Sequence, residues 1–332
     1  MGCRMGRTDW AWTRLLGGAA ILAALVWHLG AGPFVDGIEA IDGWTLAAAL
    51  GIAFVTTASA ARRWSLVARG LGIAVPMRTA VAAYYRSQFL NTTLPGGFVG
   101  DVHRGVVQGR GAGDVARGLR AVAWERSIGQ LVQAGLAVIV LLALPPGSRA
   151  MPVLIGAVLV VALLGLVLLR VLPHRGQSRW AGALRAARCD LRDGVLARQV
   201  WPGIVTASVV VVAGQTAIFL IAAHSVGISA SPDRMLPLAM LVLLAMSVPT
   251  NIGGWGPREG VAAWAFGAVG LGASQGLATA VVYGVLVLVA SLPGAVVLFA
   301  QGRDRADQQP DRSGESLVRR PVAASSGGAA RD

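Results

Sequence analysis

The 332-residue sequence has no lysine and little charge of either sign, because charged residues make up 14% of the chain. Soluble globular domains carry about 25% charged residues. The low charge and the 55% share of hydrophobic residues therefore argue against a soluble domain. The basic residues other than histidine are all arginine, which together with the many Ala and Gly residues indicates GC-rich coding.

Motifs for catalysis, metal binding and cofactor binding are missing as well. The four histidines are scattered without metal-ligand spacing, so no metal site is predicted. The sequence has no G-x-S-x-G, Walker A or dinucleotide fingerprint, so no cofactor is predicted and a protein that is not an enzyme is favoured. The two cysteines, Cys3 and Cys189, both fall on the predicted cytoplasmic side, where a disulfide is not expected.

Long hydrophobic runs are the main positive feature. A helix needs about 20 apolar residues to cross a hydrocarbon core of about 30 Å. Runs of about this length cover residues 15–35, 44–61, 128–144, 152–169, 204–226 and 278–300, and the third span is predicted to begin at Ala121. The sequence therefore predicts an all-α, polytopic membrane helical bundle with about six full spans.

The distribution of arginine predicts the orientation of the chain. Arginines concentrate in alternate connections, and the other connections hold acidic residues such as Asp36 and Glu39. This positive-inside pattern predicts a cell-membrane protein with both termini in the cytoplasm. It also explains the net charge of +13 without a nucleic-acid partner. We predict a cytoplasmic N-terminus at 1–14, a transmembrane domain at 15–300 and a disordered cytoplasmic tail at 301–332.

Two apolar segments are interrupted and do not fit the spanning pattern. The first lies between the basic flanks Arg78 and Arg117 and breaks at residues 94–97, "LPGG". The second has short arms at 235–248 and 260–269 around "PTNIGG", residues 249–254. Each must return to its own side if the charge pattern is to hold, so we predict two re-entrant helical hairpins that enter from opposite faces. The alternative is a pair of short extramembrane loops between short helices.

Charged and polar residues cluster around both breaks. Charge inside a membrane is costly, so such groups pair or face a polar cavity. Arginine suits bidentate binding of phosphate, and a helix N-terminus directs N–H groups at an anion. The predicted substrate-binding residues are Arg86, Asn91, Pro95, Gly96, Gly97, Asp101, Arg104, Glu125, Arg126, Pro249, Asn251, Gly253, Gly254, Gly256, Arg258 and Glu259. The arginines would hold an anionic or zwitterionic head group and the acids would balance their charge.

The alternative is that these charged residues only hold helices together through ion pairs. Arg258 and Glu259 are neighbours, so we expect them to face different partners.

Three motifs resemble those of one family. "FLNTTLPGGFVGDVHRG", "WERSIGQL" and "SVPTNIGGWGPREG" are similar to the lysylphosphatidylglycerol synthase transmembrane region, also called the flippase-like domain family. Val99 stands where the family pattern has a glycine before Gly100. The resemblance implies a bacterial membrane protein that moves a lipid with a polar head between leaflets. In fused relatives a soluble aminoacyl transferase domain follows this region, and this chain has only the tail after Ala300, so we expect no aminoacyl transfer.

Lipid translocation is therefore the leading functional hypothesis, with a membrane lipid as the partner. Two alternatives stay open. One is an enzyme of membrane lipid or polyprenyl-phosphate metabolism with Asp101 or Glu259 as a base. The other is a membrane anchor that binds a cytoplasmic enzyme through the arginine-rich loop at 170–199.

Overall fold

A computed structural model describes residues 23, 26–94, 97–144, 155–156, 189–246 and 255–307 of the chain. These residues are helical apart from short connections. The predicted span at 152–169 and both predicted hairpin turns fall wholly or largely outside them. The α-helices, in chain order, are α1 (Gly32–Glu39), α2 (Gly43–Gly70), α3 (Met77–Thr93), α4 (Val99–Gly111), α5 (Val115–Leu142), α6 (Trp201–Ser225), α7 (Pro232–Ala245), α8 (Pro257–Ala268), α9 (Ala273–Ser291) and α10 (Pro293–Asp307). A π-helix, Asp190–Val195, precedes α6.

Three of the described helical segments are long and apolar enough to cross a membrane: Gly43–Gly70, Trp201–Ser225 and Ala273–Ala300. They agree with three of the predicted spans and indicate a helical membrane protein. The helix that contains the predicted span at 44–61 is longer than that span, because α2 continues to Gly70 and carries Arg62 and Arg63 within the helix. At 1.5 Å per residue its 28 residues extend about 42 Å.

The structure divides two predicted spans into shorter elements. Residues 26–29 are helical, the helix is interrupted at Gly30, and α1 then holds Asp36 and Glu39, which were predicted to lie in a loop. In the predicted span at 278–300, α9 ends at Ser291 and α10 begins with Pro293, but Leu292 between them keeps a right-handed helical backbone, so residues 273–300 still form one candidate span. Between α1 and α2, Asp42 caps α2 by accepting a hydrogen bond from the Thr45 N–H at 2.7 Å, and hydrogen bonding by Thr45 lowers the pKa of this carboxyl.

Two pairs of short helices correspond to the predicted hairpins. Helix α3 packs against α4, and α7 packs against α8. These four helices have 12 to 17 residues, or about 18–26 Å, which is less than the hydrocarbon core of about 30 Å. A glycine with a positive φ precedes the second helix of each pair: Gly97 at 64° before α4 and Gly256 at 115° before α8. A residue with a Cβ atom rarely adopts this backbone conformation, so glycine is favoured at both positions.

Apolar side chains form two main cores. The larger core joins α6, α7, α8 and α9 through Phe219, Leu238, Phe266 and other buried residues. The second core joins α2, α3 and α5 around Trp64 and also includes Val195 of the π-helix. Glycines permit close backbone approach between neighbours, as is common among membrane helices.

Gly100 provides a test of the α3–α4 packing. A Cβ atom at Gly100 would lie 2.1 Å from the Ser87 carbonyl oxygen, whereas a Cβ atom at Gly111 in the same helix would meet no atom within 4 Å. We expect Gly100→Ala to lower the free energy of unfolding by about 1–3 kcal/mol through overpacking. Gly111→Ala, the matched control, should be neutral or slightly stabilising. Thermal unfolding of the two purified variants measures the difference, and equal midpoints would contradict the packing.

Candidate functional site

Glu125 on α5 lies at the centre of a group of buried charges. Arg63 on α2 donates from Nε to Glu125 Oε1 at 2.9 Å and also donates from Nη2 to the same oxygen. Its Nη1 donates to Ser208 Oγ at 3.3 Å. A Cβ atom at Gly129 would lie 2.9 Å from Arg63 Nη1, so this glycine gives the guanidinium its space. Glu125 is fully buried, and Arg63 is buried as well.

Arg104 on α4 joins Glu125 to a second carboxylate. Its Nη2 donates to Glu125 Oε2 at 2.9 Å and to Asp101 Oδ1 at 3.0 Å. The guanidinium carbon lies 4.5 Å from the ring centre of Trp64 and 4.4 Å from that of Tyr84. A cation between two aromatic faces in a dry site is favourable. These contacts fix Arg104 inside the protein, with about 1% of its surface exposed.

Asp101 accepts hydrogen bonds from α3, α4 and α5. Ser87 Oγ donates to Oδ1 at 2.9 Å, and Asn91 Nδ2 donates to Oδ2 at 3.1 Å. Arg126 Nη2 also donates to Oδ2. Asn91 accepts from the Gly100 N–H at 2.8 Å, so it satisfies a donor at the N-terminus of α4. The carboxylate thereby ties α3, α4 and α5 together.

We call Arg63, Asp101, Arg104, Glu125 and Arg126 the buried ion network. Its three arginines face two carboxylates, so it has one excess positive charge. Arg126 differs from the others because 46% of its side chain is exposed, whereas Arg104 and Glu125 are covered completely. The excess charge is therefore accessible at Arg126.

Arg126 borders a cavity with two adjoining lobes of about 550 and 270 Å³. Such volumes are typical of small-molecule sites. The lobes share polar lining residues: Gly97, Arg126, Gln130, Gln133 and Gln215. Asp101, Phe98 and Tyr283 line the larger lobe, and Arg63, Gln88 and Asn91 line the smaller one. Three glutamines from α5 and α6 thus face the same space as the exposed arginine.

A second charged group lies at the N-terminus of α8. Arg258 donates from Nε to Glu259 Oε1 at 2.8 Å, and the Gly256 N–H donates to Glu259 Oε2 at 2.7 Å. The Arg258 guanidinium also lies 5.0 Å from the Trp255 ring centre and 5.6 Å from that of Tyr283. The expectation that Arg258 and Glu259 have separate partners is wrong, because they pair with each other. The Glu259 carboxylate also occupies the anion position at this helix N-terminus.

The structure brings some of the predicted site residues together. Asn91, Gly97, Asp101, Arg104, Glu125 and Arg126 belong to the buried ion network or the cavity wall. Gly256, Arg258 and Glu259 form the separate group on α8. Arg86 is buried on α3. Pro95, Gly96, Pro249, Asn251, Gly253 and Gly254 lie outside the described residues.

Several residues of the site were not predicted. They are Arg63, which was assigned to a cytoplasmic flank, the aromatic partners Trp64 and Tyr84, and the glutamines Gln130, Gln133 and Gln215. A sequence signal existed for Arg63, since Thr56, Thr57 and Ala60 precede it at helical spacing and line the same lobe. Within the described residues no group of three or more His, Cys, Asp or Glu side chains could hold a metal ion.

Comparison with known proteins agrees with the membrane fold. Neither the curated proteins nor the solved structures contain a match to the chain. A family model described as the lysylphosphatidylglycerol synthase TM region matches residues 12–294. The matched range includes the buried ion network, both pairs of short helices and the group on α8, and it associates the chain with lipid metabolism or lipid flipping in a membrane. The protein therefore belongs to the lysylphosphatidylglycerol synthase transmembrane-region family.

Proposed function

We propose that the protein moves the polar head group of a membrane lipid between leaflets through the two-lobed cavity. The observation that carries this proposal is the Arg126 side chain, 46% exposed, at a cavity lined by residues of α4, α5, α6, α7 and α9. In this account α3–α4 and α7–α8 are re-entrant hairpins from opposite faces, and the cavity lies between them at membrane depth.

The chemistry of the cavity supports a head group that bears a phosphate. Arginine binds phosphate oxygens through paired N–H donors, and the excess positive charge of the buried ion network favours an anion. Asp101 is the carboxylate that Arg126 contacts, so a lipid phosphate would replace or share this partner. The network also keeps its own charges paired, which allows it to remain rigid without a ligand.

The glutamines supply complementary hydrogen bonds. A carboxamide both donates and accepts, so Gln130, Gln133 and Gln215 suit the hydroxyl and ester groups of a phospholipid head. Tyr283 already donates to Gln215 Oε1, which orients that amide. Because these side chains are uncharged, each would bind a head group only weakly. A head group held by such contacts can leave as well as enter.

A reconstitution experiment tests the proposal. Vesicles that contain the wild-type protein should move fluorescent phosphatidylglycerol between leaflets faster than protein-free vesicles. Gln133→Trp places a large ring in the space shared by both lobes and should reduce the rate to the protein-free value. Leu131→Trp is the matched control, because Leu131 is 71% exposed on the same helix. Equal rates for wild-type and protein-free vesicles would contradict the proposal.

A further inference from the structure

The face of α4 opposite the buried ion network is apolar and uncovered in the described part of the chain. Gly100, Asp101 and Arg104 are buried on the inner face. On the outer face, Phe98 and Val102 are 42% and 44% exposed. They border a groove of about 440 Å³ whose lining is mainly apolar and also includes Val99, His103, Val106, Val107 and Arg110. The spacing of Phe98, Val102 and Val106 places them one above another along the helix.

This groove meets the polar cavity. Phe98 and Val102 line both the groove and the larger lobe that contains Arg126 and Asp101. The first turn of α4 is therefore the boundary between the apolar outer face and the polar interior. A lipid on the outer face would lie next to the cavity without crossing the buried ion network.

The groove has the polarity and length of one lipid leaflet. Exposed Arg110 lies at one end of the groove, in the last turn of α4. A cation is favourable at a helix C-terminus. From Phe98 to Arg110 the helix rises about 18 Å. One leaflet contributes about half of a hydrocarbon core of about 30 Å. A phosphate beside Arg110 and an acyl chain that reaches Phe98 would match these dimensions.

We infer that the outer face of α4 is a docking site for an anionic phospholipid, with its phosphate at Arg110 and one acyl chain along Val107, Val106 and Val102 to Phe98. The orientation rests on the proposed function, since it requires the base of the α3–α4 hairpin at the membrane surface. The site adds a loading position to the cavity. The lipid waits in its own leaflet with its head group at Arg110, and transport begins when the head group moves about 12–18 Å along the groove and enters the cavity at the Phe98–Val102 boundary.

Photo-crosslinking tests the docking site directly. A diazirine amino acid at Val106 should capture phosphatidylglycerol in excess of its share in vesicles of phosphatidylglycerol and phosphatidylcholine. The same group at Val296, which is 69% exposed on α10, is the control and should capture the two lipids in proportion to their amounts. Arg110→Gln should reduce the enrichment at position 106 about fivefold, the effect of one basic residue near an anionic membrane surface. Equal enrichment at positions 106 and 296 would overturn the inference.

Translocation measurements separate this inference from the proposed function. Val102→Trp fills the boundary between groove and cavity and should slow transport of phosphatidylglycerol as Gln133→Trp does, whereas Val296→Trp should keep the wild-type rate. An unchanged rate in Val102→Trp would overturn entry at this boundary even if Gln133→Trp blocks transport. Enrichment at position 106 in a protein that moves no lipid would support the docking site and refute the proposed function.

Discussion

Glu125→Gln should cause the largest loss of stability of any single substitution in the buried ion network. The change removes the carboxylate that both Arg63 and Arg104 contact, and each of these guanidinium groups is buried. Arg104 retains Asp101, but Arg63 keeps no acidic partner among the described residues. Removing one member of a buried ion pair costs about 3–5 kcal/mol, because the remaining charge is left uncompensated. We expect a much lower unfolding midpoint in purified, lipid-bound protein.

Glu39→Gln is the matched control for this measurement. It makes the same chemical change at an exposed position of α1, where little effect on the midpoint is expected. Similar midpoints for Glu125→Gln and the wild-type protein would show that the buried ion network does not hold α2, α4 and α5 together.

Arg126→Ala should have the largest effect on transport with little effect on folding. The substitution removes the accessible guanidinium of the cavity, and Asp101 still accepts from Ser87, Asn91 and Arg104. Hydrogen bonds that involve a charged group contribute about 1.5–3 kcal/mol. The affinity for phosphatidylglycerol, and with it the transport rate at limiting lipid, should fall about 10- to 150-fold. The vesicle assay measures the rate.

Arg117→Ala is a close control for this variant. Arg117 is on the same helix and its side chain is 45% exposed, almost the same as for Arg126, but it pairs with Asp114 near the start of α5. We expect it to keep the wild-type rate. A similar loss in both variants would point to a general effect of net charge and would contradict a specific role for Arg126.

The two helical breaks and most of the buried charges were predictable because their cost in a membrane is high. Glycine is a strong local signal before both α4 and α8, and Pro257 is a second signal at the start of α8. The acids Asp101 and Glu125 could be recognised because charge within an apolar segment requires a partner. The arginine partner of each acid could not be predicted from the sequence, because it depends on how the helices pack together.

Arg63 shows where the charge pattern misled the interpretation. An arginine after an apolar run usually lies in a cytoplasmic connection, so the span was predicted to end at Ala61. Helix α2 continues to Gly70, nine residues beyond the predicted span, and Arg63 pairs inside the bundle with Glu125 from a distant part of the chain. Nothing in the local sequence identifies that partner.

The pairing of Arg258 with Glu259 was not predicted, for a different reason. Side chains at adjacent helical positions start about 100° apart, which argues against contact. At the first turn, however, Glu259 reaches back to the Gly256 N–H, and the long Arg258 side chain follows it. Trp255 and Tyr283 then cover the guanidinium. The structure therefore assigns Arg258 a partner within its own helix.

The depth of the two hairpin tips tests the central claim most directly. Spin labels would be attached to cysteines at Phe98 and Trp255, next to the two turns, and at Ala112 and Ser231, at the opposite ends of α4 and α7, in a background without the native cysteines. Helix α4 is about 20 Å long, so a re-entrant hairpin carries its tip towards the middle of the hydrocarbon core. The account predicts that both tip labels lie deep in the hydrocarbon core, where the cavity is the one route by which aqueous relaxation agents reach them. Both base labels should lie at the membrane surface and be fully accessible to these agents. Tip labels as shallow as the base labels would contradict a polar cavity at membrane depth.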